Sequence, residues 1–72
     1  MEEITIYTEF ITLGQLLKIA NIISSGGEAK YFLSENFALV NGDKDNRRGR
    51  KLYKGDKVVI LGKEYLIKWS KN

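Results

Sequence analysis

The sequence predicts an α+β fold, with a pair of short helices packed on a small antiparallel β-sheet of about four to five strands. Three observations predict it. Two helix-start signatures stand close together, Thr12-Leu13-Gly14-Gln15 and Ser25-Gly26-Gly27-Glu28. An Asn41-Gly42 pair follows the apolar run Phe37-Ala38-Leu39-Val40. Beyond it, Val58-Val59-Ile60-Leu61 and Tyr65-Leu66-Ile67-Lys68-Trp69 are separated by a turn at Gly62-Lys63.

Ile4-Thr5-Ile6-Tyr7 alternates with period two and reads as a short strand. Thr12 and Gln15 form a capping box, in which a hydroxyl and an amide side chain satisfy the first free amides of a helix. Ile11 and Leu16 stand where a hydrophobic staple would close over that box, and Leu13, Leu16, Leu17 and Ala20 follow at helical spacing. This helix should end near Asn21, with Lys18 on its solvated side. Ser25 is the expected N-cap of a second helix, with Glu28 at its third position, Ala29, Phe32 and Leu33 on its apolar face and Asn36 as its stop. Neither helix is long enough to be stable alone, so both must lean on the sheet. Asn-Gly is the strongest short-range hairpin signal, because both residues tolerate the positive φ of a type I′ turn. The segment from Asp43 to Lys51 is polar, and Tyr53-Lys54-Gly55-Asp56 marks another turn. There is no linker, repeat or change of composition, so the reading is one domain over residues 1–72.

Composition removes most chemistry. The 72 residues include no Cys, His or Pro. That excludes thiol nucleophiles, disulfides, zinc ribbons, imidazole bases and imidazole metal ligands. With 43% hydrophobic and 29% charged residues the chain is globular rather than disordered. A domain this short buries a small core, which favours function on the surface over an enclosed cavity. The longest apolar runs fall far below the roughly 20 residues that span a bilayer, and Met1-Glu2-Glu3 is acidic where a secretory signal is basic. The expected address is the cytoplasm, with no membrane partner, no cofactor and a monomeric state.

The net charge of +3 comes from 12 Lys and Arg against 9 Asp and Glu, unevenly placed. Arg47, Arg48, Arg50, Lys51, Lys54 and Lys57 face only Asp56 within eleven residues, a local +5 that leaves −2 for the rest. All three arginines lie there, and the guanidinium fork matches phosphate oxygens. Tyr53 lies in the same run and is suited to stacking on an exposed base. A basic hairpin kept charged for solubility and to protect a sheet edge is the competing explanation. Segregation this complete favours a polyanion.

Gly26-Gly27 has two readings. A helix start without side chains opens backbone amides to a phosphate, and Lys30 in the first turn agrees with that. Alternatively, the turn between helices is so tight that a Cβ would clash. Other motifs fail. Asp43-Lys44-Asp45 opens like a calcium loop, but Arg48 and Lys54 stand where Gly and Glu are needed. Gly62-Lys63 lacks the earlier glycine of a phosphate-binding loop, and Ser24 and Ser25 have no base. Phe10, Phe37 and Trp69 are expected in the core, where a small protein needs large side chains.

Taken together, Leu16-Leu17-Lys18, Ser24-Ser25-Gly26-Gly27-Glu28-Ala29-Lys30, Val40-Asn41-Gly42 and Leu52-Tyr53-Lys54-Gly55-Asp56-Lys57-Val58 resemble the S4 RNA-binding domain, also called the alpha-L motif. The resemblance runs without a gap from about Leu13 to Ile60, leaving flanking strands at 4–7 and 64–69, and is greatest to small stand-alone bacterial members. It implies that the helix pair and the following hairpin make one surface for structured RNA, ribosomal or transfer RNA, in a free protein or on the ribosome or its assembly intermediates. Lys18, Lys30, Arg47 and Arg48 match places where the family carries RNA-binding basic residues, and Arg50 and Lys51 extend them. Many members carry Arg where Thr12 and Gly26 stand here, and a charged residue at Tyr31, which moves the weight toward the loop after Asn41-Gly42. The leading expectation is a non-catalytic RNA-binding protein using Lys18, Gly26, Gly27, Lys30, Arg47, Arg48, Arg50, Lys51, Tyr53 and Lys54. The alternative is an adaptor that docks an acidic protein through the same basic loop. An enzyme of nucleic acid is the weakest reading, since the acidic residues do not cluster.

Overall fold

The computed structural model describes residues 1–71. In chain order it contains β1 (Glu2–Ile6), β2 (Ile11–Thr12), α1 (Leu13–Ile19), α2 (Gly27–Glu35), β3 (Ala38–Val40), β4 (Asp43–Asp45), β5 (Lys51–Leu52), β6 (Lys57–Ile60) and β7 (Lys63–Trp69). Five strands form one sheet in the order β1-β7-β6-β3-β4, and β2 pairs with β5 in a separate ribbon.

The α+β class expected from the sequence is observed, but the sheet is mixed rather than antiparallel. β1 runs parallel to β7, with Ile4 opposite Ile67 and Ile6 opposite Trp69. Period-two alternation gives a strand its two faces but neither its neighbour nor its direction. Those are fixed here by a pairing between the two ends of the chain. The β2–β5 ribbon, with Ile11 opposite Leu52 and Thr12 opposite Lys51, was also absent from the sequence expectation. Two residues a side are too few to show a period.

Strand alternation builds the core. Ile4 and Ile6, Ala38 and Val40, Val58 and Ile60, and Tyr65 and Ile67 are buried on one face, while Glu3, Thr5 and Lys68 point outward. Leu13, Leu16 and Leu17 of α1 and Ala29 and Leu33 of α2 join the same cluster, with Ile11 and Leu52 from the ribbon. Tyr65, 2% exposed, is the aromatic at the centre. Phe10, Phe37 and Trp69, expected inside, are not core residues: Phe37 and Trp69 are 47% and 45% exposed and Phe10 is half-buried. Aliphatic side chains from eight of the nine elements already fill so small an interior.

Both ends of α1 follow the sequence signals. The Thr12 hydroxyl accepts from Gln15 N at 3.2 Å, and Thr12 N donates to Gln15 Oε1 at 2.7 Å, completing the capping box. At the other end Asn21 takes φ 61°, with Asn21 N donating to Lys18 O and Ile22 N to Leu17 O. This is a Schellman closure with Asn in the left-handed position. The second helix departs from expectation. Its N-cap is Gly26, not Ser25, and no side chain caps it. Glu28 supplies the anchoring instead, its Oε1 accepting from Ser24 N at 2.8 Å, from Ser25 N at 3.0 Å and from the Ser24 hydroxyl. The glutamate half of the expected capping box is thus present, while the serine half is not: Glu28 N donates to the Ser25 carbonyl rather than to its hydroxyl. Those bonds, led by that of the Ser24 hydroxyl, hold the Glu28 carboxyl below its ordinary pKa. The helix closes at Asn36 as its sequence signals.

Asn41 and Gly42 take φ 52° and 91°, the type I′ pattern, and join β3 to β4. Part of the polar segment after Asn41-Gly42 is therefore strand, and the loop proper is 46–50. Asn41 also reaches across to the turn before β6. Its Nδ2 donates to Asp56 Oδ1 at 3.0 Å and its Oδ1 accepts from Lys57 N at 2.9 Å. Asp56 Oδ2 accepts from Tyr53 N at 2.8 Å. The Val-Asn-Gly and Gly-Asp elements are thus two halves of one hydrogen-bonded clasp.

Candidate nucleic-acid interface

Loop 46–50 is assembled around one carboxylate. Asp45 is the single buried charged residue among those described. It accepts from Arg47 N at 2.9 Å, Arg47 Nε at 3.0 Å, Arg47 Nη2 at 2.7 Å and Arg50 Nη1 at 2.9 Å. The Arg47 hydrogen bonds outweigh the opposing effect of burial and hold the Asp45 carboxyl far below the ordinary carboxylate range. Arg47 keeps 70% of its side chain exposed despite this grip, whereas Arg50 keeps 30%.

The loop so formed sits on the start of α1. Leu13 N donates to Arg50 O at 2.8 Å and Gly14 N to Arg48 O at 2.9 Å. With Gln15 N on the Thr12 hydroxyl, the leading amides of α1 are all taken by the chain. Gly14 permits the approach. A Cβ there would stand 3.0 Å from Arg48 Cγ, 3.4 Å from Arg48 O and 3.5 Å from Ala29 Cβ.

The start of α2 is different. Nothing lies within 4 Å of where a Cβ would stand on Gly26 or Gly27. The tight-turn reading of Gly26-Gly27 is therefore excluded, and the pair is open to solvent. Glu28 N and Ala29 N bond to Ser25 O and Gly26 O, and the two glycine amides take no part in these bonds.

Between these parts lies an open groove of about 490 Å³, lined by Thr12, Gly14, Gln15, Lys18, Gly26, Ala29, Arg48 and Gly49. Lys18, Gly26 and Arg48, named from the sequence, meet there. The other candidates do not. Arg47 and Arg50 gather at Asp45; Lys30 is exposed on α2; Lys54 is exposed at the turn before Asp56. Lys51 Nζ lies 4.9 Å from the centre of the Phe10 ring, and Phe10 in turn meets Tyr53 with ring centres 5.8 Å apart. Thr12, Gln15 and Phe10 carried no functional expectation, since a capping pair and an isolated aromatic look structural. Gly14 did carry a signal, a glycine inside a first helical turn at a cost of about 1 kcal/mol against Ala.

A family model described as S4 domain matches residues 4–68. The chain belongs to the S4 domain family. It is similar to a protein of Bacillus subtilis (strain 168) described as a probable ribosome maturation protein RlbA. The two are 66% identical over 59 residues, covering 82% of this chain and 83% of that protein. No solved structure matches the chain. Among the described residues of this S4 domain no helix is long and apolar enough to cross a membrane, and no three acidic side chains are grouped to hold a metal ion.

Proposed function

We propose that this S4 domain is a non-catalytic, monomeric RNA-binding protein of the cytoplasm that acts as one module on structured ribosomal RNA during ribosome maturation. The carrying observation is the groove in which Lys18 and Arg48 flank the bare helix start at Gly26. Such a groove suits a phosphate backbone: cations stand at its edges, the helix dipole favours negative charge, and no Cβ obstructs approach. Arg47, Lys30, Lys51 and Lys54 widen the basic surface around it, while Arg50 acts chiefly by holding the loop. A-form RNA hides its base edges in a deep groove, so phosphates and shape carry the recognition. The printed description of the Bacillus relative favours ribosomal over transfer RNA.

The test is retrieval of the tagged protein from cells with and without ribonuclease, followed by sequencing of the bound RNA. Ribosomal RNA and ribosomal proteins should be recovered together and lost together on nuclease treatment. Partners that survive the nuclease would replace this reading with that of a protein adaptor.

A further inference from the structure

The ribbon of β2 and β5 has two faces. Ile11 and Leu52 are opposite one another and buried, so the alternating pair, Thr12 and Lys51, faces outward. Continuing the antiparallel register by one step sets Phe10 opposite Tyr53 on that outward face. The rings meet there, tilted by 50° with centres 5.8 Å apart. Lys51 covers Phe10, leaving Tyr53, 45% exposed, as the more open ring. The backbone that carries Tyr53 is held in place, since its amide donates to Asp56, which itself accepts from Asn41. Thr12, at the other end of the same face, lines the groove that holds Lys18 and Arg48. An aromatic step with its own cation therefore adjoins the basic groove.

We infer that this face is a stacking site for one unpaired nucleotide next to the RNA duplex, its base on Tyr53, supported by Phe10, and its flanking phosphates near Lys51 and Lys54. The inference rests on the RNA-binding reading and deepens it: the preferred RNA contains a bulge or a duplex end with an overhang, not an uninterrupted helix. A half-exposed tyrosine backed by a second ring, with lysines on either side of it in the chain, matches a nucleotide, whose base has a π-face that stacks and whose phosphate is anionic.

The experiment compares two RNA hairpins, one fully paired and one identical except for a single bulged 2-aminopurine. The protein should bind the bulged hairpin roughly tenfold more tightly, with quenching of the 2-aminopurine. Tyr53→Leu should remove the preference and the quenching, so that the two hairpins bind alike; Tyr53→Phe, which keeps the ring, should retain both. Phe10→Leu should weaken the preference. Equal affinity for the two hairpins, or a preference that persists in Tyr53→Leu, overturns the inference while leaving the groove intact as an RNA site. Failure to bind either hairpin overturns the RNA-binding reading and this inference with it.

Discussion

Gly14 donates its amide to the carbonyl of Arg48 at 2.9 Å, and a side chain at Gly14 would meet the Arg48 stem at 3.0 Å. This contact, with that of Leu13 N on Arg50 O, ties the first helix to the basic loop and brings Arg48 to the wall of the groove. The loop is held from its other side by Asp45. Binding surface and scaffold are therefore coupled, and substitutions that never touch RNA should alter its affinity.

Gly14→Ala should lower stability by about 1 kcal/mol, because the cost of forcing a methyl group into a packed contact, about 1–3 kcal/mol, exceeds the roughly 1 kcal/mol gained in helix propensity. It should also weaken RNA binding by displacing Arg48. Arg48→Ala removes the nearest atom, so Gly14→Ala should cost less in that background. Denaturant unfolding of the four proteins of this cycle measures the coupling. Strict additivity would show that the carbonyl, not the side chain, is the obstacle.

Asp45→Asn should destabilise the protein by about 2 kcal/mol at neutral pH, because hydrogen bonds from two guanidinium groups lose their charged acceptor. The folded-state pKa of Asp45 is depressed, so its contribution is fully present above the unfolded carboxylate value of about 3.9. It is lost as pH falls through that value toward the folded one. Urea unfolding from pH 7 to pH 3 should show a constant difference between variant and wild type down to about pH 5, then a narrowing one. A difference that grows in acid contradicts the assignment.

Leu61→Asn should stabilise the protein. Leu61 and Gly62 form the β6–β7 turn at φ 51° and 77°, and Leu61 is 68% exposed. A left-handed leucine costs about 1–2 kcal/mol, which asparagine largely avoids. The gain should be roughly 1 kcal/mol, read as a rise in melting temperature of about 4–8 °C. No rise would mean that packing of Leu61 beside Phe37, Leu39 and Val59, with which it lines a shallow pocket, offsets the strain.

The parts of the fold that were legible in the sequence were local. Thr12 with Gln15, Asn21 and Asn36 at helix ends, and Asn41-Gly42 each act within a few residues, and each lies where its signal placed it. What was not legible depends on distant pairing. β1 against β7 joins opposite ends of the chain, and β2 against β5 spans the helices between them. The second capping box forms only in part because Ser25 and Glu28 both fit its pattern, while only Glu28 turns its side chain to the backbone. For the site, charge segregation located the basic segment but not its division. Asp45 claims Arg47 and Arg50, and the approach of the loop to Gly14 delivers Arg48 to Lys18. A run of like charges in sequence carries no information about which of them an acid two to five residues away will hold.

The most direct test of the groove is titration of a ribosomal RNA fragment recovered from cells, at two salt concentrations, with wild type and the Lys18→Glu, Arg48→Glu double variant. With roughly four to six phosphates neutralised, wild-type affinity should fall by about 10²–10³ between 50 mM and 200 mM salt. The double variant should bind at least tenfold more weakly at low salt and with a shallower slope, while its unfolding curve stays close to that of wild type. Wild-type binding that is insensitive to salt, or a double variant that binds as tightly as wild type, would contradict the account.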